Sequence, residues 1–318
     1  MPRYCRKDFI LTWKERINVK VGIVGGGAIG LLIAFYLHKY KYDVTIYTRR
    51  QSQAKLLNER GLRYIKEGRE EICFVKAQPI EDRVEDADLL FITVKQYDLP
   101  QLISMHAWIQ NIETVIFLQN GMGHLQMLED LKNKNVLLGV VEHGALKHDD
   151  RTVEHTGEGK INLATWKGEL GKAQHFICDS REGFLFLYNE SWYEMLAMKL
   201  AVNAVINPLT ALLRVTNGKL VSVEEYTNMM KSVFGEVKQV LQLPDEKRTW
   251  ENIVHISRKT AANRSSMLKD LEGGRKTEVD AILGYVVEKG KSLNVPTTLC
   301  QFLLSAIKGM EHGGREDE

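Results

Sequence analysis

The stretch VKVGIVGGGAIGLLIAFYL, Val19 to Leu37, decides the fold. Val19–Val24 is a short apolar run. Gly25-Gly-Gly27-Ala-Ile-Gly30 follows it and fits G-x-G-x-x-G, and Ala28–Tyr40 then carries apolar residues at helical spacing with His38 and Lys39 near its end. Strand, glycine turn and helix in that order are the context a dinucleotide-binding turn requires. Gly25 permits the tight turn, Gly27 lets the backbone approach a pyrophosphate, and Gly30 lets the helix pack on the strand. The N–H groups at the helix start, with Gly26, Ala28 and Ile29 beside the three motif glycines, are then phosphate donors. The competing reading is a glycine-rich turn with no ligand.

Outward from the turn, Asp43–Tyr47 is a second β-rich run, and it ends in Thr48-Arg49-Arg50. A site for NAD places Asp or Glu here for the ribose 2′-hydroxyl. Arg49 stands here instead, 24 positions after Gly25 (49 − 25), and a cation accepts a 2′-phosphate. NADPH is therefore the expected cofactor, with Arg49 preferred over Arg50; the alternative is two solvated surface charges. Ala54–Arg60 reads as helix. Ala87–Val94, Thr114–Leu118 and Val136–Val141 are fully apolar, as strands buried on both faces are. The first half is thus expected to be an α/β, doubly wound Rossmann sheet with helices on each side. Lys160–Thr165 and Gly183–Leu187 read as later strands pairing antiparallel at an edge. Lys95 and Asn120 follow the third and fourth strands, where ligands of such sheets bind, so both are candidates to meet the nicotinamide ribose or the substrate; ordinary loop polarity is the alternative.

After about Asn189 the pattern turns helical, giving expected domains of 19–188 and 189–318. Ser222-Val-Glu-Glu225 reads as a capping box for a helix to about Leu241. Asp245 to about Asn263 is another helix, Ser265–Arg275 reads as a loop, Thr277-Glu-Val-Asp280 caps a helix to about Leu293, and Pro296-Thr297 opens the last. Lys199, Asn203 and Asn207 recur at i, i+4 and i+8 on one face of an apolar helix. That polar stripe needs partners, and Pro208 is expected to kink the helix near it. A binding face and a structural Lys–Asn network are both open readings.

At 318 residues two domains are the prior. A formal net charge of +2 gives no reason to expect nucleic acid, which normally calls for a clustered basic face. No apolar run in the sequence reaches the roughly 18 residues of a membrane helix. Cys5, Cys73, Cys178 and Cys300 lie far apart without a CxxC pair, which suits reduced thiols in the cytoplasm, and the scattered histidines suggest no metal. Residues 1–18 lack the apolar stretch of a signal peptide. They are expected to lie outside the fold, as an extension ahead of a native start at Val19; a native N-terminus at Met1 by mass spectrometry would refute this.

The set GGGAIG (25–30), VKQYD (94–98), QNGMG (119–123), KLAVNAVINPLTALL (199–213), TNGKL (216–220), NRSSMLKD (263–270) and GGRKTEVDAILGYVV (273–287) resembles the ketopantoate reductase (2-dehydropantoate 2-reductase) family, in order from Val19 to about residue 310. The resemblance implies a Rossmann domain followed by an all-helical domain like that of 6-phosphogluconate dehydrogenase, and the making of pantoate for the pantothenate and coenzyme A pathway. It implies roles too. Lys199 is the catalytic lysine. Asn203, Asn207, Asn217, Ser266 and Asn120 contact substrate, with Ser266 near its carboxylate. Glu278 is the acidic partner, counted with both the catalytic and the cofactor-contacting groups. Asn120 and Lys95 flank the nicotinamide, and Arg49 holds the 2′-phosphate. Two departures stand out: the first 18 residues have no counterpart, and Val141-Glu142-His143-Gly144 replaces a segment that often carries threonines before the histidine, so Glu142 and His143 are left outside the catalytic set. The rivals are a reductase of another 2-keto acid or of an imine, since fold does not fix substrate, and a non-catalytic NADPH sensor. A homodimer is expected by analogy with other helical domains of this kind.

Overall fold

The computed structural model describes residues 19–81, 87–178 and 183–313. Residues 1–18 and their expected place outside the fold fall outside that range. The chain divides into two compact units, Met1–Gln119 with Glu129–Trp192, and Asn120–Leu128 with Tyr193–Glu318.

The strands of the first unit are β1 (Lys20–Val24), β2 (Asp43–Thr48), β3 (Leu62–Lys66), β4 (Arg69–Cys73), β5 (Lys76–Pro79), β6 (Leu89–Ile92), β7 (Thr114–Phe117), β8 (Asn135–Val141), β9 (Gly144–Lys147), β10 (Thr152–Gly157), β11 (Lys160–Lys167) and β12 (Leu185–Tyr188). Eight form one sheet in the order β12-β11-β8-β7-β6-β1-β2-β5. From β5 through β8 every pairing is parallel, which is the Rossmann arrangement, with the order reversing between β1 and β6. The glycine turn leaves β1 at that reversal, the place where such sheets bind ligands. The central strands β6 and β7 are buried throughout, so their sequences show no alternation. At the other edge β11 runs antiparallel to β8, as expected, but β12 runs parallel to β11. A parallel neighbour needs a crossover, and the stretch after β11 contains a 3-10 turn, Gly171–Ala173, and a short helix.

The helices before residue 192 are α1 (Ala28–Lys39), α2 (Gln51–Arg60), α3 (Leu99–Met105), α4 (Leu125–Leu128, in the second unit) and α5 (Gln174–Cys178, the crossover helix). In α1 every residue from Gly30 to Leu37 is buried. A helix apolar all round must be covered on more than one side. The cover is a second sheet absent from the sequence reading, β4-β3-β10-β9. Helix α1 packs on β1 and β2 with one side and on β3, β9 and β10 with the other. The hairpin β3–β4 pairs Lys66 with Arg69 around Glu67 and Gly68, both at positive φ, as a two-residue turn matching strand twist demands.

A buried polar chain crosses this layer. The Gly159 N–H donates to His143 Nδ1 at 3.1 Å, so that nitrogen is an acceptor. His155 Nε2, 3.1 Å away, must then carry the proton it donates, and His155 Nδ1 accepts from the Tyr36 hydroxyl at 3.0 Å or that of Tyr64 at 3.3 Å. One backbone amide thus fixes both tautomers. Burial, followed by the neighbouring His155, pushes the His143 imidazole down to about 4. Glu142, next to it, accepts from Asn162 Nδ2 at 2.9 Å.

The second unit holds α6 (Trp192–Leu213), α7 (Lys219–Ser222), α8 (Glu224–Leu241), α9 (Glu246–Lys259), α10 (Ser266–Glu272), α11 (Tyr285–Leu293) and α12 (Thr298–Gly313), with a π-helical turn at Asp280–Gly284 leading into α11. Helix α6 corrects one reading: it is long and apolar enough to cross a membrane by composition, yet most of it is buried inside the protein, and it runs uninterrupted through Pro208. The capping box at Ser222 is not formed. Ser222 closes α7 and bonds the Lys219 carbonyl, while α8 starts after Val223 without a side-chain cap. Asp245 does cap α9, accepting from the Arg248 N–H at 2.8 Å. The segment read as a loop contains α10, capped by Ser265, which accepts from the Leu268 N–H at 3.1 Å.

Candidate functional site

The turn after β1 is built by contacts that only glycine allows. Gly25 has φ +117°, and its N–H donates to the Tyr47 carbonyl at 2.9 Å. A Cβ on Gly30 would lie 1.9 Å from the Gly25 carbonyl oxygen. Thr93, beyond the end of β6, donates its hydroxyl to the carbonyls of Val24 and Gly25 at 3.0 and 3.1 Å, bracing the turn from the next strand. Gly27 differs: a Cβ there would meet nothing within 4 Å, so no neighbour among the described residues requires glycine. It is the N-cap of α1, without a side-chain cap, and no acidic residue stands in the first turn. Open space before uncapped N–H donors fits a pyrophosphate.

The two arginines after β2 are separated by their partners. Arg50 is ion-paired with Asp150 at 2.5 Å, and Asp150 also receives Lys147 at 3.1 Å. Partial burial pushes the Asp150 carboxyl up, but Lys147 and Arg50 outweigh it and hold it below the ordinary aspartate range. Arg49 is exposed and makes no hydrogen bond or ion pair among the described residues. It is the cation at this strand end that remains open to a ligand.

Lys95 is half-buried and N-caps a 3-10 turn, Gln96–Asp98. Its loop is held by Gln119, which donates Nε2 to the carbonyls of Ile92 and Val94 at 3.0 and 2.9 Å. Thr93 and Gln53 (described below) complete the bracing of the turn; neither belongs to a recognisable motif, and the sequence holds no signal for them beyond their place at strand and helix ends.

In the second unit, Asn120 donates Nδ2 to Glu278 Oε2 at 3.0 Å, and Glu278 is buried. Gly121, at φ +79°, seats this segment: a Cβ there would lie 2.1 Å from the Ala281 carbonyl oxygen. Helix α6 carries Lys199, half-buried, with Asn203 and Asn207 each 8% exposed. Among the described residues neither asparagine amide has a hydrogen-bond partner, and neither is among the fully buried unpaired polar atoms, so both amides keep some contact with solvent. A structural network would pair these amides with protein groups. The face suits a small polar ligand better.

Asn217 and Ser266 stand differently. Asn217 donates its N–H to the Asn263 carbonyl at 2.9 Å and Nδ2 to Thr260 Oγ1 at 2.8 Å. This ties the loop after α6 to the end of α9, while its buried Oδ1 has no partner among the described residues. Ser266 is exposed at the start of α10. Its neighbour Ser265 caps that helix and meets Thr210 Oγ1 at 2.8 Å, joining α10 to α6. Among the described residues no group of three or more His, Cys, Asp or Glu is arranged to hold a metal ion.

The family model described as ketopantoate reductase PanE/ApbA matches residues 21–168, and its C-terminal counterpart matches residues 192–311. A protein of Bacillus subtilis (strain 168) named 2-dehydropantoate 2-reductase is 40% identical over 295 residues, covering 92% of this chain and 98% of that one. The crystal structure of a probable 2-dehydropantoate 2-reductase, panE, from Bacillus subtilis superposes with a TM-score of 0.83 at 40% identity, covering 92% of this chain and 99% of that one. A ternary structure of D-mandelate dehydrogenase with NADH and anilino(oxo)acetate has a TM-score of 0.85 at 22% identity, over 93% of this chain and 99% of that one, a likeness of fold. With both halves matched in order, the chain belongs to the ketopantoate reductase family of oxidoreductases.

Proposed function

We propose that this chain reduces 2-dehydropantoate to pantoate with NADPH, acting in the cytoplasm on the route to pantothenate and coenzyme A. The observation that carries the reading is the face of α6, where Lys199 stands in line with Asn203 and Asn207, each 8% exposed and without a hydrogen-bond partner for its amide among the described residues. The substrate is a 2-keto acid with a terminal hydroxyl, so it offers acceptors and a donor to such a face.

When bound, the reduced nicotinamide supplies a hydride for the keto carbon. Negative charge then builds on the keto oxygen. The Lys199 ammonium stabilises that charge and donates the proton. Asn203 and Asn207 hold the carboxylate and hydroxyl without adding charge, with Asn217 Oδ1 and Ser266 as further contacts. Asn120 fixes the Glu278 carboxylate, which orients the substrate hydroxyl. Arg49 takes the 2′-phosphate, the turn from Gly25 to Gly30 takes the pyrophosphate, and Lys95 and Asn120 flank the nicotinamide. As for partners, a homodimer acting on a small molecule is the assembly we expect.

Steady-state assays with ketopantoate against pyruvate, ketoisovalerate and acetolactate, each with NADPH and NADH, test this. Highest kcat/KM for ketopantoate with NADPH is expected. Preference for another keto acid would move the chain to the rival reductase, and absence of any turnover to the sensor.

A further inference from the structure

Gln53, on the first turn of α2, is 5% exposed. Its Nε2 donates to the carbonyl of Gly26 at 2.8 Å and to the carbonyl of Asp150 at 2.8 Å. Two carbonyl acceptors around one atom identify that atom as the amide nitrogen, and they use both of its hydrogens. Gly26 lies in the turn that receives the pyrophosphate. Asp150 lies in the β9–β10 hairpin, and its carboxylate is the group that holds Arg50. The same amide explains the middle glycine, which the G-x-G-x-x-G pattern leaves free: a Cβ on Gly26 would lie 2.5 Å from Gln53 Nε2 and 2.7 Å from its Cδ.

We propose that Gln53 is a positioning residue for dinucleotide binding: its amide ties the pyrophosphate turn at Gly26 to the hairpin at Asp150, and so fixes the turn while the hairpin keeps Arg50 away from Arg49. This rests on the reading that the turn binds NADPH. Free of the tie, the Gly26 carbonyl loses its buried donor and the turn gains freedom that binding must remove. The loss falls on both NADPH and NADH, since both carry the pyrophosphate.

Fluorescence titration of the full-length protein with NADPH and NADH tests it, beside steady-state kinetics and the Tm of each variant. Gln53→Ala should raise the Kd of both dinucleotides about tenfold, a typical effect of one buried hydrogen bond. KM for NADPH should rise with it, and kcat at saturation should fall far less. Gln53→Glu keeps the shape but sets a carboxylate against two carbonyls, so it should bind more weakly still. Gly26→Ala should weaken binding strongly in the parent and much less in the Gln53→Ala background, because the clash is then gone. Unchanged Kd in Gln53→Ala, a parent-like Gln53→Glu, or additive effects of the two substitutions each overturn the proposal. A lower Tm with an unchanged Kd overturns it too, by reducing Gln53 to a packing residue. Failure of the unsubstituted protein to bind either dinucleotide would instead refute the nucleotide reading beneath it.

Discussion

Arg49 and Arg50 are neighbours in sequence with different surroundings in space. Arg50 spends its charge on Asp150, so Arg49→Ala should weaken NADPH binding and leave NADH nearly unaffected, by direct titration. Unchanged cofactor preference would move the role to Arg50. Lys199→Ala should lower turnover by about 100- to 10,000-fold, the range typical of general acids, while NADPH still binds; normal turnover would refute the lysine's role. The glycine turn was legible because two of its motif glycines answer a backbone constraint, a positive φ at Gly25 and a carbonyl 1.9 Å from the missing Cβ at Gly30, while Gly27 leaves open space at the helix start. Gln53 was not, because an amide bridging two carbonyls leaves no spacing rule in the sequence. The Ser265 cap was not legible either: its segment reads as a loop, and the structure has Ser265 capping a helix there.

At the level of elements, the parallel sheet was legible from its apolar strands and the second sheet was not. Its β4 is exposed at almost every position, so it lacks the alternation that marks a half-buried strand. Two signals did exist, the Glu67-Gly68 turn between short β-rich runs and the apolarity of α1 on every side, which one sheet cannot cover. This layer should also respond to acid. His143 titrates at about 4 in the folded protein and near 6.5 when unfolded. His155 is likewise lowered, by burial and then Lys66, with Glu158 opposing. The unfolded chain therefore binds protons that the folded chain refuses. Stability should be full above about pH 6.5 and should fall as pH drops towards 4. Thermal melts across that range check it, with a shallower fall expected in His143→Gln; a Tm independent of pH from 7 to 4 would contradict the buried neutral pair.

For the whole molecule, the helical second half was legible, since helical periodicity replaces apolar strands there. The compact units add what periodicity cannot carry: Asn120–Leu128 belongs with Tyr193–Glu318. Such a long-range association depends on fit at Gly121 and leaves no local pattern. Gly121→Ala should cost about 2–5 kcal/mol, from left-handed strain and a Cβ driven into the Ala281 carbonyl. A denaturant melt showing less than about 1 kcal/mol would mean the segment shifts freely. The same excursion has a consequence for how the protein is made. Residues 120–128 leave the ribosome long before the helices they pack on. While those helices are still being synthesised, the nascent first unit must hold β7 and β8 together around a segment with nowhere yet to go, and only the arrival of the C-terminal half completes it.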